Sequence, residues 1–324
     1  MISEKTVFIL GAGASVPYGY PTGFQLNEEL KELLVNFPPS PAHCSAEQSK
    51  VFKFFEELGC SPKELKKFEK SLFGAARYSI DKFLEKRNDF LDLGKILITY
   101  LLKKKEQRHF LFLNLNSENW YAELFNRLDT TVDNIETHQI SFITFNYDRS
   151  LEFFIYNVLK ERTTKSQDII VSAFNSIPIV HVYGCLGNLP WSKDGGIEYS
   201  YEFEPEDIKK MASGINIMSE ERETEELKKA HELLRDAKNI YFLGFGYDEL
   251  NLDRLEITKY GINKKMRGTS YGLSEKDLKA VRYSIAVTPE TRKKDARQQT
   301  GCSINFYQND LTIMQVFKKY MVFK

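Results

Sequence analysis

The stretch Ile140 to Phe154, ISFITFNYDRSLEFF, decides how the chain is read. Its first six residues are mostly β-branched or aromatic and read as a buried strand, and its last residues read as the start of an apolar helix. Between them sit Asn146, Tyr147 and Asp148, so an amide and a carboxylate occupy a strand-to-helix junction.

Four other runs share that grammar: TVFILGAG (Thr6 to Gly13), IPIVHVYG (Ile177 to Gly184), NIYFLGFG (Asn239 to Gly246) and SINFYQND (Ser303 to Asp310). RGTSYGLS, from Arg267 to Ser274, is a weaker sixth. Continuous apolar strands alternating with helical patterns predict an α/β fold, a Rossmann-like doubly wound parallel sheet covered on both faces. Capping-box spacings at Thr22 to Gln25 and Ser274 to Asp277 mark two of the helix starts.

From Phe37 to Glu136 no such strand occurs. Leu72, Ile80, Phe83 and Leu84, then Leu91, Leu93, Ile96, Leu97 and Leu101, fall at helical spacing, and Pro38, Pro39 and Pro41 mark the entry. The expected organisation is a catalytic core from residues 1–36 and 137–324, with a helical insertion over 37–136. A charged amphipathic helix is expected over Glu220 to Lys238, ahead of the strand at Asn239. Because core elements are expected near both termini, no separate C-terminal sensor domain is expected.

Composition narrows the function classes. With 324 residues, 42% of them apolar, the chain can bury a full core, and its net charge of zero supplies no bulk attraction to nucleic acid. The run KELKKFEK (Lys63 to Lys70) reads as a solvated helix face, not a nucleic-acid patch. ILITYLL (Ile96 to Leu102) is too short for a membrane span and runs into three lysines. No basic region precedes the first apolar stretch, so no secretion signal and a cytoplasmic location are expected. Cys44, Cys60, Cys185 and Cys302 are scattered, and His43, His109, His138 and His231 lack paired spacing and read as surface residues. No metal is expected.

In FILGAGASVPYGYPTGF, Gly11 and Gly13 fit the first two positions of a dinucleotide fingerprint, but Val16 stands at the third glycine position. Pro17, Gly19 and Pro21 then interrupt any immediate helix. In an open parallel sheet, ligands lie beyond the carboxyl ends of the strands. The residues expected there are Gly11 to Ser15, Asn146 to Asp148, His181 to Gly184, Gly244 to Asp248, and Asn309 with Asp310. Small and polar groups concentrated on one rim favour a nucleotide crevice.

The order GAGAS, TFNYD, HVYG, GFGYDELN resembles the sirtuin catalytic core, and more closely the prokaryotic sirtuin-like NAD hydrolases of anti-phage defence; SIDKFL (Ser79 to Leu84) is similar to that branch too. The resemblance implies an NAD site with Gly11, Ala12, Gly13 and Ser15 around the phosphates and ribose. It implies catalytic roles for Asn146 and His181, places Asp148 near the nicotinamide end, and puts Gly244 and Asn251 at the adenosine half. Tyr147 and Phe245, beside these residues, join the expected cofactor-binding set, as does Asp81. Asp81 either touches the ribose region or faces solvent, and Asp148 is equally readable as a helix cap.

Three departures separate the chain from protein-deacylating sirtuins. YPTGFQ stands where they carry a proline-aspartate-phenylalanine-arginine run, Phe145 stands where they have glutamine, and only Cys185 lies where they hold a four-cysteine zinc module.

The chemistry suits these residues. Pyridinium nicotinamide leaves as a neutral base, so the raised-pKa acid of ordinary glycosidases is not needed. An asparagine amide offers a donor and an acceptor without changing charge, and a histidine titrates near neutrality and can relay a proton. The expected activity is NAD+ glycohydrolysis to nicotinamide and ADP-ribose by a latent defence effector that depletes NAD. Control is expected from self-assembly into a homo-oligomer or from a partner protein, and the resemblance implies a DNA-translocase-type ATPase as one such partner. The alternatives are a sirtuin-like deacylase or ADP-ribosyltransferase, a non-catalytic NAD-binding subunit, and an oxidoreductase.

Overall fold

The structure, a computed structural model, describes residues 2–38, 40, 45–112, 117–217, 223–294, 299–308 and 310–321. Pro39, Pro41, His43, Cys44, Glu220 and Asn309, singled out in the sequence, lie outside them.

Six strands form among the described residues: β1 Thr6–Leu10, β2 Ile140–Thr144, β3 Ile179–His181, β4 Asn239–Leu243, β5 Lys265–Gly268 and β6 Ile304–Phe306. They build one sheet in the order β3-β2-β1-β4-β5-β6, and every neighbouring pair is parallel. This is the order of a Rossmann-like doubly wound sheet. Every residue of β1 and β2 is buried, as expected where helices cover both faces. Across the centre, Phe8 stacks between Phe142 and Tyr241 with ring centroids 5.5 Å away on each side, matching the pairing of Phe8 with both residues. Such same-face aromatic pairs fix register, because a slip of one residue would turn every side chain to the opposite face.

The weak sixth strand lies two residues earlier than its sequence signal. Lys265, exposed, opens β5 and disguises its start, while Thr269 and Ser270 already belong to the loop beyond its end.

Both predicted capping boxes form, at Thr22 with Gln25 before the helix Gly23–Val35 and at Ser274 with Asp277 before the helix Glu275–Ala286. Between β1 and β2 the described elements are all helical, from Gly23–Val35 to Trp120–Leu128. In the helix Pro62–Ala75, Leu65, Phe68 and Leu72 are buried while the lysines face outward. The expected amphipathic helix before β4 spans Glu225–Asp236. No helix among the described residues is long and apolar enough to cross a membrane.

One histidine corrects the sequence reading. His138 is only 7% exposed; its N–H closes the turn Ile135–Thr137 onto the Ile135 carbonyl just before β2, and burial lowers its pKa. His109 is exposed, as expected, and His231 is half-buried with Nε2 against the Arg254 carbonyl at 2.7 Å.

Candidate functional site

The strand order reverses between β1 and β4, and there the glycine turn meets Gly244 in backbone contact. A Cβ on Gly11 would lie 2.6 Å from the Gly244 oxygen, and one on Gly13 would lie 2.9 Å from the Gly244 Cα. Gly244 itself has φ +56°, and its own Cβ would fall 2.2 Å from the Ala14 nitrogen. Three glycines therefore permit an approach that no side chain allows. The approach is bonded: Gly11 N–H donates to Leu243 O at 3.1 Å and Gly13 N–H to Gly244 O at 3.0 Å. Those two N–H groups are committed to β4, not directed at a phosphate. The turn then continues as two 3-10 turns, Ala12–Ala14 and Val16–Tyr18, before the helix at Gly23, as the prolines and Gly19 suggest.

At the end of β2 the NYD motif closes onto that turn. Asn146 Nδ2 donates to Gly11 O and to Ser15 Oγ, each at 3.0 Å. Gly11 O can only accept, so the amide orientation is fixed and both hydrogens are used. Oδ1 makes no hydrogen bond among the described residues, which leaves it as an acceptor for a ribose hydroxyl or a water.

Ser15 Oγ in turn donates to Asp148 Oδ2 at 2.7 Å. The other Asp148 oxygen accepts from the Ser150 N–H at 3.1 Å and from the Ser150 hydroxyl. Asp148 stands one residue ahead of the N-cap, Arg149, and holds both the first residue of the helix Ser150–Glu161 and the serine of the glycine turn. Burial raises its pKa, and the hydrogen bonds from Ser150 and Ser15 oppose that shift.

His181, the last residue of β3, lies against the same motif. Its Nδ1 is 2.8 Å from the Asn146 carbonyl oxygen, and its Nε2 bonds Glu152 Oε1. Both partners are acceptors, so both nitrogens donate and the ring is an imidazolium. Burial alone would lower its pKa; the Glu152 charge above all, with Cys185, the Glu152 hydrogen bond and the Asn146 carbonyl, outweighs it and raises the value to about 10. In this state His181 holds the Asn146 backbone and has no lone pair with which to accept a proton.

A second group of expected residues gathers nearby. Tyr147 OH donates to Asp81 Oδ1 at 2.9 Å, so Asp81 meets the core rather than solvent, and burial raises its pKa. Lys82 beside it bonds Asp248 at 2.7 Å. Tyr183 OH donates to Asn251 Oδ1 at 2.6 Å, and the Phe145 ring lies edge-on to both Tyr183 and Phe245, at 5.6 and 5.1 Å. Gly11, Ser15, Asn146, Asp148 and His181 therefore form one hydrogen-bonded cluster. Tyr147, Asp81, Phe245 and Asn251 form an aromatic and polar flank joined to it through Phe145 and Tyr147.

Two charged residues of the motif escaped the sequence reading. Besides Glu152, Arg149 is 1% exposed and spends all five donors: on both oxygens of Glu106 (2.9 and 2.8 Å), Asn188 O (2.8 Å), Ile197 O (2.9 Å) and Glu198 O (3.4 Å). Lys103, fully buried, adds a 2.6 Å bond to Glu106. The available signal was Arg149 and Glu152 themselves, two charges set against the apolar run Leu151, Phe153, Phe154 and Ile155.

Among the described residues no group of three or more His, Cys, Asp or Glu side chains is placed to hold a metal ion. No protein-family model matches the chain, and no curated protein matches it.

Proposed function

We propose that the chain is an NAD+ glycohydrolase of the sirtuin-like kind its motifs resemble, releasing nicotinamide and ADP-ribose. The observation that carries this reading is Asn146: its amide nitrogen is locked by Gly11 and Ser15 on the rim where the strand order reverses, and Oδ1 is left to orient a reactant.

The leaving group needs no proton, so the residues have to place the ribose, tolerate the developing positive charge and present water. Asn146 Oδ1 does the placing. Asp148, behind Ser15, puts a carboxylate near the forming oxocarbenium ion. His181 acts first as a positioning residue through the Asn146 carbonyl. Its expected proton-relay role requires a second state in which Nε2 has left Glu152.

Phosphate binding by the Gly11 and Gly13 N–H groups would likewise require their release from β4. Both requirements fit a latent enzyme whose control comes from self-assembly or from a partner such as a translocase-type ATPase, acting as a cytoplasmic defence effector. The engagement of both His181 nitrogens favours a second reading, a non-catalytic NAD-binding subunit.

Mass-spectrometric product analysis with NAD+ alone, across protein concentrations and with candidate partners, tests the proposal. Free nicotinamide without a peptide acceptor is expected, and Asn146→Ala should lower its release by about 10²- to 10³-fold. No nicotinamide under any condition overturns the reading, and unchanged NAD+ binding in that case selects the second one.

A further inference from the structure

The hydrogen-bonded cluster around Asn146 does not end at Asp148. The Ser150 hydroxyl gives its one proton to Asp148 Oδ1, so in the 3.0 Å contact between the Tyr121 and Ser150 oxygens it is Tyr121 that donates. Tyr121 comes from the helix Trp120–Leu128, in the helical segment between β1 and β2. It is buried and fixed: its ring stacks on Tyr18 with centroids 4.0 Å apart, its N–H donates to the Tyr18 hydroxyl at 2.9 Å, and burial keeps the phenol protonated. Two arms of donors therefore converge on one carboxyl. Tyr121 donates to Ser150 and Ser150 to Asp148; from the other side Asn146 Nδ2 donates to Ser15 and Ser15 to Asp148.

Both arms need a carboxylate at their meeting point. A protonated Asp148 would donate to Ser150 or to Ser15, and the hydroxyl proton displaced there would meet a donor, Tyr121 or Asn146 Nδ2. On the Ser15 side, Asn146 would lose one of the two bonds that fix its amide. Among the described residues the donors to Asp148 are Ser15 and Ser150, with no cation to hold its charge. Burial pushes its pKa up and the Glu152 charge adds to this; the Ser150 hydroxyl opposes it most, ahead of Ser15 and the Ser150 N–H. The phenols around it, Tyr18, Tyr20, Tyr121 and Tyr199, are raised by burial and stay neutral.

We propose that Ser150, backed by Tyr121, is a positioning residue for Asn146: it holds Asp148 as a carboxylate, which turns the Ser15 proton away from Asn146 and keeps the amide locked. The tie between Ser150 and Asn146 is a property of the folded chain; its bearing on catalysis rests on the proposed NAD+ cleavage.

The test follows the Asp148 carboxyl carbon and the Asn146 side-chain amide by NMR in the full chain across the acid and neutral range. Both signals should titrate with one midpoint. Ser150→Ala should raise that midpoint by about 1–2 pH units, the worth of one hydrogen bond to a charged group, and Ser150→Thr, which keeps the hydroxyl, should return it to the wild-type value. Tyr121→Phe should raise it by less, and decides the matter if Ser150→Ala does not fold. The acid limb of nicotinamide release should move with the midpoint, whereas a purely structural loss lowers the profile without moving it. An Asn146 amide that does not follow the Asp148 midpoint, or a midpoint unmoved in the folded variants, would overturn the proposal. Absent nicotinamide release with the NMR shifts intact would overturn NAD+ cleavage and leave the coupling standing.

Discussion

Two buried ionic groups flank the NYD motif, and they differ in how completely they are bonded. The Lys103–Glu106–Arg149 group uses both Glu106 oxygens and every Arg149 donor, and it ties the helical segment between β1 and β2 to the start of the helix Ser150–Glu161. The His181–Glu152 pair leaves Glu152 Oε2 without a partner. A saturated group has one low-energy arrangement, whereas an unsaturated one has an alternative partner to gain. The first is a structural fastening; the second is where a ligand or a change of state can act.

The contrast is broken most severely at Glu106. Glu106→Ala leaves two cations buried without their carboxylate and should cost about 3–5 kcal/mol, read as a lowered urea midpoint. A loss under 1 kcal/mol would show that the fastening is not structural.

The His181–Glu152 pair should show itself through pH. The folded-state pKa of His181 is raised from 6.5 to about 10, so its stabilisation is complete below pH 6.5 and is lost as the pH rises toward 10. Stability measured by urea unfolding across that window should fall by on the order of 4–5 kcal/mol, and His181→Asn should flatten this part of the profile. A wild-type profile already flat over the window would contradict the imidazolium assignment.

These two groups also mark where the sequence was legible. Strand identity and the glycine rim follow from local pattern, because the strands other than β5 are largely apolar runs ending in a small or polar residue, and parallel pairing then carries those ends to one side. Asn146, Asp148 and His181 were visible because they stand at strand ends. Arg149 and Glu106 were not, because their partnership joins residues 43 positions apart and no local period records it. His138 misled for a similar reason: without paired spacing it reads as surface, and only the fold buries it. The commitment of the Gly11 and Gly13 N–H groups to β4 was likewise invisible, since it depends on Gly244, more than two hundred residues away.

Asp148 stands between the two kinds of group, bonded at both oxygens yet placed in the candidate site. Asp148→Ala removes the partner of the Ser150 N–H and of the Ser15 hydroxyl, and should cost about 1–2 kcal/mol of stability. If its work is capping alone, nicotinamide release per folded molecule stays at the wild-type level. If the carboxylate also faces the reaction, release falls further than the folded fraction does.

The smallest expected effect lies where Tyr147 meets Asp81. The phenol hydroxyl reaches a carboxylate whose pKa burial has raised, while the neighbouring Lys82–Asp248 pair is largely exposed, with Lys82 at 52%. Buried and exposed contacts made by neighbouring residues of one short helix should therefore differ in strength. A double-mutant cycle with Tyr147→Phe and Asp81→Asn should give a coupling of about 1 kcal/mol, and one with Lys82→Met and Asp248→Asn less than about 0.5 kcal/mol. Equal couplings would mean that burial does not distinguish the two contacts. A larger coupling at Lys82 would identify the ion pair, rather than the Tyr147 hydroxyl, as the contact that holds the Ile80–Leu84 helix against the rim.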